Sequence, residues 1–485
     1  MNKNIIRYVI SNILRLTALL IVFPLFFSFF YREELIMVIS FIIPIIILII
    51  SSYLLYPKNI NIDEEKFHSK DGLVIVSLSW LLLSFFGSLP FVISGYIPSI
   101  NDAFFETVSG FTTTGATILN NPEILPNSLL FWRSFTHFVG GMGVLVLVLA
   151  ILPGSKNQYM YIIKAEVPGP STGKLVAKMS YNSRILYTIY ISLTIILIFL
   201  LKLAGMPIFD SIVHALGTAG TGGYSSKALS IAYYNNKYIE YILSFGMIVF
   251  GINFNIFYLL VLGNVKQALK SEEMKWYFYI ILFSTLLISV NIYKQYNSLE
   301  ETLRNSFFTV SSIISTTGYS TADYNNWPLL SHIIILLLMF FGGCAGSTAG
   351  GFKISRVVVL AKEFFKQFKK IVHPNIVKVH KLDGKTLEEE TISNITSYLI
   401  IYIGMFMIFL IIISFSMPDF LTSFSALAST FNNVGPGLGY VGPSFNYSFI
   451  NPFTKFILSL SMLFGRLEIL PMLILFSPTI YKKLK

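Results

Sequence analysis

Four segments of this chain align without a gap on a glycine. They read "DAFFETVSGFTTTGAT" (Asp102–Thr117), "DSIVHALGTAGTGGYS" (Asp210–Ser225), "NSFFTVSSIISTTGYS" (Asn305–Ser320) and "TSFSALASTFNNVGPG" (Thr422–Gly437). Each begins thirteen residues before its aligned glycine: Gly115, Gly223, Gly318 or Gly435. The glycines recur roughly every hundred residues, and one structural unit per period is the mark of a repeat architecture. Four such units arranged about an axis would bring four Gly/Thr-rich stretches face to face.

What surrounds these segments restricts them further. The chain has 485 residues, 54% hydrophobic and only 12% charged. A soluble domain carries about 25% charged residues. Apolar runs fall at about 7–30, 36–56, 71–95, 128–152, 185–205, 238–262, 276–295, 328–371 (interrupted), 394–416 and 453–480, each near the ~20 residues a membrane helix needs. Ten passes put both termini on one side. Net charge is +11. Its lysines and arginines cluster in 153–184, in 352–390 and in the terminal "YKKLK". Such clusters mark cytoplasmic loops, so both ends are expected inside and nucleic-acid binding is not. Lys3 and Arg7 precede an apolar run too long for a signal peptide, which reads as a retained first helix.

The four aligned segments follow spans 3, 5, 7 and 9. They are too short and too polar at their ends to cross, and each precedes a further crossing. A half-helix that enters, stops and returns as extended backbone fits this pattern. Such backbone survives at membrane depth only where it is buried in protein or lines a wet cavity. A single Gly/Thr patch would serve close helix packing equally well. Four in register favour a filter, in which carbonyl oxygens replace the hydration shell of a monovalent cation. Glycine's access to positive φ lets consecutive carbonyls turn toward one axis. The negative C-terminal end of each half-helix favours a cation there.

Enzymatic readings find little support. Cys344 is the single cysteine, and the six histidines show neither HxxxH nor HExxH spacing. "GSTAGGFK" (Gly346–Lys353) lacks the ending of a phosphate loop and follows no soluble strand. No organic cofactor is expected.

The pattern resembles the Trk/Ktr/HKT superfamily of potassium and sodium translocating proteins, most closely its TrkH-type membrane subunit. The residues that carry the resemblance are "SGFTTTGAT", "WRSFTHFVGGMGVLVL", "GTGGYS", "STTGYS", "GGCAGSTAGGFKISR", "HPNIVKVHKLDG", "NNVGPGLG" and "GRLEI". The implied fold is an all-α polytopic membrane protein. Four pseudo-symmetric helix–pore loop–helix repeats would surround a central pore, after two extra N-terminal transmembrane helices. Expected divisions are 1–70 for that helix pair and 71–155, 156–265, 266–392 and 393–485 for the repeats. The resemblance places filter backbone at Thr113, Thr114 and Gly115; Thr221, Gly222 and Gly223; Thr316, Thr317 and Gly318; and Asn433, Val434 and Gly435. Sodium-preferring relatives often carry Ser at the first filter glycine, so Gly115 favours potassium. Val434 and Pro436 depart from four-fold identity.

Span 8 contains "FGGCAGSTAGG", too rich in Gly and Ser to hold a regular helix. By resemblance it is an intramembrane loop beneath the filter, with Gly342, Gly343, Gly346, Gly350 and Gly351 as gate residues alongside Arg466. A charge inside a span is a functional hypothesis by default; pairing with nearby Glu468 is the structural alternative. Asp102, Asp210 and Glu106 near the outer mouth suit cation concentration or, for Asp102 and Asp210, half-helix capping, and Arg133 and His137 read as structural. The resemblance further implies a homodimer in the cell (inner) membrane and a separate cytosolic RCK/TrkA-type nucleotide-binding regulatory ring. The function it implies is potassium uptake. The alternative is a sodium-permeable or sodium/proton-coupled transporter (a symporter) of the same superfamily.

Overall fold

The computed structural model describes residues 2–57, 69–143, 173–373 and 381–477. Its helices are α1 (Lys3–Phe30), α2 (Leu35–Leu55), α3 (Ser69–Ile93), α4 (Ile100–Phe111), α5 (Asn127–Gly141), α6 (Gly173–Leu203), α7 (Ile208–Gly220), α8 (Lys237–Phe250), α9 (Phe254–Val261), α10 (Val265–Ala268), α11 (Glu272–Ile292), α12 (Leu299–Ile314), α13 (Leu329–Phe341), α14 (Ile354–Val372), α15 (Glu389–Ser414), α16 (Phe420–Phe431), α17 (Pro452–Arg466) and α18 (Leu470–Leu475). The basic stretch 153–172, the fourth span beyond residue 143, residues 374–380 of the "HPNIVKVHKLDG" linker and the terminal "YKKLK" lie outside the described residues.

Burial is inverted relative to a soluble protein. On α2, Ile46, Ile49 and Ile50 are about half exposed, whereas Thr107, Ser109, Ser211, His214, Ser312 and Thr430 are buried. Large aliphatics outside and hydroxyls within suit a lipid surround and a polar axis. Among the described residues, six helices are long and apolar enough to cross a membrane, and the bent pair α8/α9 adds a seventh.

The four half-helices are α4, α7, α12 and α16. Each is started by a local signal. Ser99, Ser298 and Asp419 are N-caps that accept from the N–H of Asp102, Glu301 and Thr422. Pro207 precedes α7, and Asp210 in its first turn complements the helix dipole. A twelve-residue helix is about 18 Å long, well short of a ~30 Å hydrocarbon core, so it stops inside.

Packing closes the repeats into a ring. Each half-helix packs on the preceding helix of its own repeat: α4 on α3, α7 on α6, α12 on α11 and α16 on α15. The helix that follows then packs on the next half-helix: α5 on α7, α8 on α12, α13 on α16, and α17 back on α4. The last contact makes a cycle from a linear chain. α1 and α2 form a hairpin outside it, packed on α3, with α1 also against α5.

Two spans expected to be continuous are broken. The span at 238–262 bends by 91° between α8 and α9, where Asn253 caps the new helix through the Asn255 N–H at 2.9 Å. The span at 453–480 ends at Arg466. Glu468 and Ile469 adopt φ of 56° and 64° before α18 begins. Hydropathy alone hid both breaks because the windows around Asn253 and Glu468 stay apolar on average. The interruption of span 8 occurs where expected, between Phe341 and Ile354.

Candidate functional site: a four-repeat pore loop and the loop beneath it

All four half-helices end in the same way. The N–H groups of Thr114, Gly222, Thr317 and Val434 donate to the carbonyls of Ser109, Gly217, Ser312 and Ser429 at 2.8, 2.8, 2.9 and 2.8 Å. The preceding residues, Thr113, Thr221, Thr316 and Asn433, take φ of 56°, 56°, 58° and 58°. This is the Schellman C-cap, whose left-handed position usually holds glycine. Three β-branched threonines there are backbone outliers. Strain of about 1–3 kcal/mol each persists only where surrounding structure over-determines it. The sequence reading named these residues as filter backbone but assigned positive φ only to the glycines. The available signal was a Thr, Thr, Thr, Asn column two places before the aligned glycine.

The glycines follow with φ of 81°, 77°, 85° and 105° at Gly115, Gly223, Gly318 and Gly435. Their absent side chains are accounted for by one another's repeats. A Cβ on Gly115 would fall 2.0 Å from the Gly222 oxygen, on Gly223 1.9 Å from the Thr317 oxygen, on Gly318 2.2 Å from the Val434 oxygen, and on Gly435 2.6 Å from the Thr114 oxygen. The relation runs around the four repeats and closes. Among the described residues no hydrogen-bond donor reaches the carbonyls of Thr113, Thr114, Gly115, Thr221, Gly222, Gly223, Thr316, Thr317, Gly318, Asn433 or Val434. Buried carbonyls are almost always paired. A ring of unpaired ones can serve as cation ligands. Outside the ring a cavity of about 120 Å³ touches all four glycines.

Side chains brace the ring at its junctions. Tyr224 donates to the Glu106 carbonyl at 2.6 Å, and Tyr319 to the His214 carbonyl at 3.1 Å. Donor and acceptor occupy equivalent positions in the two junctions. Ala116 and Pro436 stand at the tyrosine position in repeats one and four, so the brace is absent there. His137 fills the space beside Gly222, bonds the Gly110 carbonyl at 2.8 Å and accepts from the Tyr224 N–H at 3.3 Å. The acids near the mouth are paired. Glu106 is buried against Arg133 at 2.8 Å, Asp102 meets Lys455 at 2.7 Å, and Asp210 accepts from Ser226 at 2.7 Å. Capping by Asp102 is corrected, since Ser99 caps α4.

The loop after α13 packs against the ends of two half-helices. Gly342, Gly346 and Gly351 have φ of 67°, 68° and 78°. A Cβ on Gly343 would lie 2.5 Å from the Ala349 Cβ, and one on Gly350 2.4 Å from the Asn432 oxygen. The Gly350 N–H donates to the Thr316 hydroxyl at 2.7 Å, so the loop touches the left-handed residue at the end of α12. Its other fastenings come from the broken sixth span and from α11. Cys344 N–H bonds the Gly251 carbonyl at 3.0 Å, and Glu273 accepts from the Ala345 and Ser355 N–H groups at 2.7 and 3.0 Å. Glu273 escaped the sequence reading; a carboxylate at the start of an apolar span was the available signal.

Arg466 joins this loop to the rest of the protein. It donates to the Thr348 carbonyl at 2.8 Å and to Gly140 and Gly141 at 2.6 and 2.8 Å. The latter two are end carbonyls of α5; that of Gly140 also accepts from the Gly143 N–H at 3.1 Å. The Arg466–Glu468 pairing is corrected: Glu468 binds Arg356 at 2.6 Å. A turn separates the two residues, because Glu468 lies beyond the end of α17.

A cyclic set of re-entrant half-helices, presenting unpaired carbonyls above a constrained intramembrane loop, defines a pore-loop membrane transport protein. Comparison with known sequences gives the family. The TrkH family model, "Cation transport protein", matches residues 38–292 and 275–482, and the chain belongs to that family of transporters, which are not enzymes. "Trk system potassium uptake protein TrkH" of Salmonella typhimurium is 35% identical over 90% of each chain. The Halomonas elongata protein of the same name is 31% identical over the full length of both. The crystal structure of the potassium transporter TrkH from Vibrio parahaemolyticus superposes with a TM-score of 0.89 at 31% identity, covering 99% of this chain and 100% of that one.

Proposed function

We propose that this chain is the pore-forming membrane subunit of a potassium uptake system, conducting K+ through the ring formed at Gly115, Gly223, Gly318 and Gly435. The observation that carries this reading is the closed cycle in which each glycine faces the next repeat's unpaired carbonyl. K+ would pass down its electrochemical gradient. A potential of 100 mV contributes about 2.3 kcal/mol per charge, enough for roughly fifty-fold accumulation without ATP hydrolysis at the ion step. The loop 342–351 and Arg466 form the gate. The chain lies in the cell (inner) membrane as a homodimer with both termini cytoplasmic. A cytosolic RCK/TrkA-type nucleotide-binding ring acts on its basic inner loops. The names of the relatives and the resemblance of the motifs support these last assignments.

The test is growth of cells lacking potassium uptake, at low external K+, expressing this chain with and without a regulatory ring. Growth that depends on the chain and is lost with Gly115→Ser supports the reading. Growth unaffected by Gly115→Ser overturns the filter assignment. Equal Na+ and Rb+ uptake would favour the sodium-permeable alternative.

A further inference from the structure

The Gly435 carbonyl is unlike the other three glycine carbonyls. It accepts from the Ser429 hydroxyl at 2.5 Å and from the Tyr447 hydroxyl at 2.9 Å. Among the described residues no donor reaches the carbonyls of Gly115, Gly223 or Gly318. The difference has a local cause. Six places before the aligned glycine, repeats one, three and four carry serine, Ser109, Ser312 and Ser429. Ser312 donates to the carbonyl of Tyr319, the residue after its glycine, at 2.6 Å. Ser429 instead takes the carbonyl of the glycine itself. Pro436 stands where Tyr319 stands, and its ring fixes φ near −65°. Its Cδ also lies 2.8 Å from where a Cβ on Gly318 would sit. The fourth strand therefore leaves the ring along a different course, with φ of 105° at Gly435.

Tyr447 reaches this carbonyl from a loop the filter motif does not include. Its N–H donates to the Thr117 carbonyl of repeat one at 2.9 Å, and its buried ring packs 5.5 Å from that of Phe105. One residue thus spans the junction between repeats four and one, where no Tyr224-like brace exists. We infer that Tyr447 and Ser429 hold the Gly435 carbonyl away from the ion path. The outermost filter position is then built from the three carbonyls of Gly115, Gly223 and Gly318, and Tyr447 is a positioning residue that sets cation discrimination. This rests on the filter reading above. The number and field of coordinating carbonyls govern discrimination between K+ and Na+. A position with three carbonyls and an open side completed by water holds K+ less selectively than one with four.

Loss of both hydroxyls leaves a buried acceptor without a protein donor, and such a group seeks another partner. The partner available is the cation or water in the path. The experiment compares the parent with Tyr447→Phe and with Tyr447→Phe/Ser429→Ala in proteoliposomes, measuring half-saturation for Rb+ and for Na+. Tyr447→Phe keeps the ring against Phe105. The double variant is expected to raise the Na+ to Rb+ half-saturation ratio at least threefold, with maximal Rb+ flux within twofold of the parent; the single variant gives a smaller rise. Cation-dependent thermal stabilisation in detergent is read in parallel, so a variant that conducts poorly still reports Rb+ against Na+ preference. A ratio and a stabilisation preference both within twofold of the parent overturn the inference. A parent with neither cation flux nor cation-dependent stabilisation overturns the filter reading instead.

Discussion

Arg466→Ala separates a gate from a structural cap. The guanidinium donates to the carbonyls of Thr348, Gly140 and Gly141 at 2.8, 2.6 and 2.8 Å. The first of these ties it to the intramembrane loop. The other two satisfy the end of α5 and are retained whether the loop is in place or displaced. A hydrogen bond to a charged group contributes about 1.5–3 kcal/mol. Losing the Thr348 bond should therefore shift the closed-to-open equilibrium by roughly tenfold to a hundredfold. The two helix-end bonds enter stability in both states and cancel from the gating equilibrium. Rb+ flux into proteoliposomes holding this chain alone is the assay, with thermal melting in detergent alongside. The expected result is basal flux raised at least tenfold and a lowered melting midpoint. A lowered midpoint with flux unchanged within twofold would refute the gating argument and leave Arg466 as a cap for α5.

Three further outcomes follow from the same geometry. Gly223→Ala, which would put a Cβ 1.9 Å from the Thr317 oxygen, should abolish selective Rb+ uptake, read as competition by excess Na+. Thr316→Val keeps the shape but removes the acceptor of the Gly350 N–H. It should raise basal flux severalfold, while Thr221→Val, whose hydroxyl donates to the adjacent Gly220 carbonyl, should not. Glu106→Gln leaves the buried Arg133 without its ion-pair partner, a change that costs about 3–5 kcal/mol. Its melting midpoint should fall clearly, and adding Arg133→Met should recover part of the loss.

The sequence makes the half-helices and the register of their glycines legible because both are local. An N-cap, a run too short to cross and a Gly/Thr end are written within a few residues, and the repeat can be read by alignment. The partners of those residues are not local. Thr113, Thr221 and Thr316 give no hint of positive φ by residue type, since β-branched residues avoid it, whereas Asn433 is of a type that visits it; the common C-cap imposes it on all four. Glu468 sits two places from Arg466 in the chain, yet the turn after α17 sends them to different partners. The bend between α8 and α9 is equally hidden, because the apolar residues flanking Gly251 and Asn253 keep the whole run hydrophobic enough to read as one span. Its carbonyls and N–H groups are then free to bind the loop of span 8.

By itself the sequence determined that this is a membrane chain of four pore-loop units, and it singled out the four glycines. Periodicity and hydropathy are properties of neighbouring residues, and the bilayer converts them directly into helices that cross or stop. The tertiary structure decided what each glycine faces. Only when α17 packs back on α4 does repeat four meet repeat one, so that Gly435 faces Thr114 and the ring closes. That contact joins residues more than three hundred positions apart, which no local pattern encodes. The same closure places Tyr447 between Thr117 and Gly435, and so makes the fourth quarter of the ring different from the other three.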